Sequence, residues 1–115
     1  MNEASLLRMI EEYRTVHVIQ PSRMLDKVYF DRGCFSNWAV DELLNRLIDE
    51  FDRLPSHITG RDPVPYFHII EEFIFDMDYL AKSTTDSHKR FIFLVARDTV
   101  DDLLLFLKGE LEWQN

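Results

Sequence analysis

Apolar residues recur along this chain at helical spacing far more often than they alternate. Over residues 3–15, Leu6, Leu7, Ile10 and Tyr13 return to one side of a 3.6-residue period, which predicts a helix with a single buried stripe. Asn2 is placed to cap it, and Glu3 complements its dipole. The clearest pattern lies at 37–54, where Val40, Leu43, Leu44, Leu47, Ile48, Phe51 and Leu54 form a continuous stripe. Ser36 reads as its cap, and Phe35 with Val40 as a hydrophobic staple. Glu42–Arg46 and Asp49–Arg53 fall four apart on the opposite face, and Pro55 stops the helix.

Residues 55–65 hold three of the four prolines and one of the three glycines, which marks a loop. Asp62 followed by Pro63 is then a start signal for a helix running to about Ala81. From Tyr66 to Leu80 its apolar residues cover more than half the circumference, so this helix is expected to be central, with neighbours on several sides. After the polar turn Ser83–Ser87, residues 90–96 are β-favouring by composition but also read as buried helix. His88, Lys89 and Arg90 would oppose a helix dipole. Thr99 with Asp102 resembles a capping box for a last helix carrying Val100, Leu103, Leu104, Phe106, Leu107 and Leu111.

Residues 16–34 have the weakest pattern. Val16, Val18 and Ile19 suit a short strand before Pro21. Ser22 would cap a short helix with Met24, Leu25 and Val28, or Lys27–Phe30 is extended, and Gly33 ends the stretch. The pattern as a whole predicts a mainly α fold, one domain over 1–115, as a compact bundle of four or five helices. The alternative is an α+β fold with a small sheet from residues 16–19, 27–31 and 90–96.

Composition supports a packed core. The 46% apolar content includes nine Phe, too much for a disordered tail. The longest apolar run, Phe91–Ala96, is far short of the ~20 residues that span a bilayer. The start MNEASLLRMIEE lacks the basic and apolar regions of a signal peptide, and the chain reads as a complete, cytoplasmic small protein.

Net charge changes the picture most. At −8, the chain is unsuited to nucleic acid, which demands clustered Lys and Arg, and to an anionic membrane surface; its one basic cluster is His88-Lys89-Arg90. A basic protein would instead be attracted. Glu72 and Asp76 are like charges four apart with no base on their stripe, and Asp98, Asp101 and Asp102 crowd one turn near Arg97. Glu71, Glu72, Asp76, Asp98, Asp101 and Asp102 are the candidate partner-binding acids, with Tyr66, Tyr79 and Trp113 as candidate aromatic anchors.

Catalytic and metal chemistry find little support. His68, Glu72 and Asp76 share a helix face, but no second helix offers the Glu-x-x-His pattern of bundle metal sites. Cys34, the single cysteine, has Arg32 nearby but no signature of a nucleophile, and no phosphate loop or G-x-S-x-G occurs. The expectation is a protein without catalysis, metal or cofactor. Short, acidic, helix-rich and motif-free, the chain resembles in profile the small immunity and antitoxin proteins of bacteria. That resemblance implies stoichiometric masking of a basic toxin, such as a nuclease. A phage-encoded inhibitor of a host nucleic-acid or defence enzyme, and a structural or oligomeric helical module, are the alternatives.

Overall fold

The computed structural model describes the backbone of residues 3–18, 27–53 and 64–114; the side chains of 3, 27–30, 53, 64–65 and 110–114 lie outside that description. Four helices form from these residues: α1 (Glu3–His17), α2 (Lys27–Arg53), α3 (Val64–Ser83) and α4 (Ser87–Gln114). There is no strand among the described residues. The mainly α bundle is therefore the fold, and the small sheet is excluded for 27–31 and 90–96, both of which are helical. Of 16–19, Val16 ends in α1 and Val18 in a bend, its N–H donating to the Arg14 carbonyl at 3.2 Å. Ile19 and the expectations for Pro21 and Ser22 fall outside the described residues, as do Asn2, Pro55, Asp62 and Pro63.

α2 begins ten residues before the stripe that predicts it. Gly33 is buried inside it rather than ending it, although a helical glycine costs about 1 kcal/mol against alanine. Packing on α4 outweighs that cost. Phe35 meets the rings of Phe91 and His88, each at 5.8 Å. The next residue of α2, Ser36, shares a hydroxyl–hydroxyl hydrogen bond of 2.9 Å with Thr99, about two turns along α4 from Phe91. Ser36 and Thr99 are thus both mid-helix, not caps, and Phe35 packs against α4 rather than stapling Val40.

α3 and α4 form an antiparallel hairpin across residues 84–86. Its cap is Asp86, whose Oδ1 accepts from the backbone N–H of His88 at 2.9 Å and Lys89 at 3.2 Å. Arg90 turns back, donating to the Thr84 carbonyl at 2.8 Å and the Ala81 carbonyl at 3.3 Å. Arg90, the last residue of the basic cluster, therefore meets the negative end of α3, where a cation is stabilising, and Asp86 complements the dipole of α4.

The central helix is α4, which packs against all three others. At about 1.5 Å per residue its 28 residues reach about 42 Å, nearly the 45 Å long axis of the molecule. The core joins Leu6 and Ile10 of α1, Val40, Leu43 and Leu47 of α2, Ile70 and Phe73 of α3, and Val100, Leu103 and Leu107 of α4. Despite the wide apolar surface that predicts a central position for it, α3 buries only one side and leaves Phe75, Tyr79 and Leu80 exposed. No helix, among the described residues, is long and apolar enough to cross a membrane.

Candidate functional site: an acidic groove with an apolar rim

α4 presents Asp98, Asp101 and Asp102 on its outer side as a ridge between two concavities. On the α3 side is an open groove of about 390 Å³, lined by Glu71, Ile74, Phe75 and Asp78 of α3 and by Arg97, Asp98 and Asp101 of α4. On the other side, a smaller pocket of about 200 Å³ is shared with α1 and α2 and includes Asp98 and Asp102. Consecutive aspartates diverge by about 100° around a helix, so Asp101 faces one concavity and Asp102 the other.

The six candidate acids therefore do not make one face. Glu71, Asp98 and Asp101 come together in the groove. Asp102 lies in the small pocket. Glu72 is exposed and has no ion-pair partner among the described residues. Asp76, unanswered along its own helix, is answered from α2: Arg46 donates to its Oδ2 at 2.9 Å and lies over the Phe73 ring at 4.8 Å. This pair takes Arg46 away from the Glu42 partnership that its sequence spacing suggests.

Partial neutralisation leaves the groove acidic. Arg97 bridges Asp78 at 2.8 Å and Asp98 at 3.0 Å, and Lys82 holds the other Asp78 oxygen at 2.7 Å. Hydrogen bonds from Lys82 and then Arg97 hold the Asp78 carboxyl below its usual range. The same contacts, Asp78 first and Asp98 second, push Arg97 upward. Glu71 meets Lys108 at 3.5 Å and His68 at 3.7 Å. Asp101 has no ion pair among the described residues.

Of the candidate anchors, Tyr66 is core: it is 1% exposed, and its ring stands edge-on to Phe51 at 4.9 Å. It has no surface to offer, because α3 turns its first apolar stripe inward against α2. Tyr79 is on the surface at 62% exposure. The Trp113 side chain falls outside the described residues.

Two apolar residues that the sequence reading did not single out complete the site. Phe75, one turn before Tyr79, is 69% exposed on the groove wall. Leu105, 63% exposed, lies on α4 between Asp101 and Lys108. The available signal was the excess of apolar residues on α3, more than one core-facing stripe can bury.

No family model, curated protein or solved structure matches this chain. The site's own chemistry is therefore the guide to its use. Neither His68 nor Cys34 joins a metal set: among the described residues no three His, Cys, Asp or Glu converge. Cys34 is a half-buried free thiol.

Proposed function

We propose that this chain is a non-catalytic binding protein, and that the α3–α4 groove docks a basic surface of another protein and masks it. One observation carries the reading. Phe75, more than three-fifths exposed, lines a groove with Glu71, Asp98 and Asp101, and the similarly exposed Tyr79 and Leu105 follow one helical turn after Phe75 on α3 and after Asp101 on α4. Large exposed aromatic side chains beside such a groove are suited to anchor a partner. The groove acids would steer a cationic partner to it, giving fast, salt-sensitive association. Masking of this kind is how a small bacterial immunity or antitoxin protein neutralises a basic nuclease, and that is the setting proposed here.

Capture from the native host tests the reading. The expected result is one basic protein, held stoichiometrically and released at moderate salt. The combined variant Phe75→Ser with Asp101→Lys should lose that protein while its helical circular dichroism stays unchanged. Retention of the partner by the variant would remove the groove from the interface.

A further inference from the structure

Among the arginines whose side chains are described, all but one have a partner. Arg8 pairs with Glu12. Arg14 holds Glu11 and Asp41. Arg46 and Arg97 bind aspartates, and Arg90 binds carbonyls. Arg32 has no hydrogen bond or ion pair among the described residues. It nevertheless lines the small pocket between α1, α2 and α4 together with Asp98 and Asp102. Asp102 has no ion pair either. A cation and an anion thus border one concavity without meeting each other.

We propose that this pocket binds a small zwitterion of free amino-acid size, with its carboxylate on Arg32 and its ammonium on Asp102. The guanidinium presents a planar fork suited to a carboxylate, and the aspartate accepts from an ammonium. Asp98 adds negative charge on the ammonium side, while Arg97 holds one of its oxygens at 3.0 Å. Size restricts the occupant. About 200 Å³ is below the ~300–1,000 Å³ of pockets for drug-sized ligands. Buried Val18 gives the lining an apolar patch, and the Tyr13 and His17 rings, also part of the lining, meet at 4.9 Å with their planes tilted by 35°. Burial, and then the Asp102 charge, raise the Tyr13 phenol above its usual value, so at neutral pH it remains a hydrogen-bond donor.

The site is distinct from the α3–α4 groove and shares only Asp98 with it. The test is titration calorimetry of the full chain with each standard free L-amino acid at millimolar concentration. It is repeated with the N-acetyl and the amide forms of any that binds. The expected result is saturable binding of at least one amino acid, weakened about tenfold or more when either charge is removed from the ligand. Arg32→Gln and Asp102→Asn should each weaken it by a similar factor. Both positions are exposed, so the variants should keep the wild-type helical signal. Absence of binding by every amino acid would overturn the proposal. So would equal binding of the blocked ligands, an arm that needs only the wild-type protein.

Discussion

Phe73 and Phe75 stand two apart on α3 and have opposite fates. Phe73 is 1% exposed, packed in the core with the Arg46 guanidinium across its ring. Phe75 is turned to solvent beside the groove. Composition cannot separate them, and the helical period alone leaves both inside a wide apolar arc. Only the position of α4 against α3 decides which is core. Removing the Phe73 ring leaves a cavity and a cation without its aromatic neighbour, so Phe73→Ala should cost about 3–5 kcal/mol. Phe75→Ala should change stability by no more than about 0.5 kcal/mol. Urea unfolding followed by circular dichroism measures both. A comparable loss at the two sites would mean that α3 is rotated about its axis relative to this structure.

At the scale of elements, helices were legible wherever burial is one-sided. The stripe from Val40 to Phe51 reads directly as α2, because its period is unbroken and its opposite face is polar. Residues 27–36 of the same helix were illegible. Gly33 and the aromatic cluster before it argue locally for a break, and the contacts that hold them helical, Phe35 with Phe91 and Ser36 with Thr99, lie more than fifty residues away. The hairpin shows the same limit. Its polar turn is plain in the sequence, but the cap is Asp86 rather than Thr99, since α4 is one helix through the β-favouring stretch. That cap has a pH consequence. Backbone hydrogen bonds from Lys89 and His88 hold the Asp86 carboxyl below its usual range, as Lys82 and Arg97 do for Asp78. The native state therefore binds fewer protons than the unfolded chain in this window. Their stabilisation is complete above the ordinary carboxylate value of about 3.9 and is lost as pH falls through the lower folded values. Asp86→Asn keeps a capping oxygen but cannot titrate. Its melting temperature should fall less steeply than that of the wild type as acid is added below about pH 4. Identical slopes in thermal melts would show that the Asp86 charge does not contribute.

At the scale of the whole molecule, the acidic residues were legible as an excess but not as a surface. The sequence presents Asp76 as unanswered, yet Arg46 reaches it from another helix; it presents Asp101 and Asp102 as one cluster, yet they serve opposite concavities. Pairing and facing are tertiary facts, fixed when α4 becomes the hub. Two opposed tendencies then coexist on the α3–α4 side. Exposed Phe75, Tyr79 and Leu105 favour association, while a net charge of −8 repels like copies. Repulsion should dominate at neutral pH, so light scattering across a concentration series should find a monomer there. Towards the isoelectric point of about 4.8 the repulsion vanishes, and the apolar rim should then drive self-association. The double variant Phe75→Ser with Leu105→Ser removes the rim and leaves the charge unchanged, so it should remain monomeric closer to that pH. A stable wild-type dimer at neutral pH, abolished by the same two substitutions, would instead make this face an interface between copies of the chain. The proposal of a basic heterologous partner for the groove would then fall.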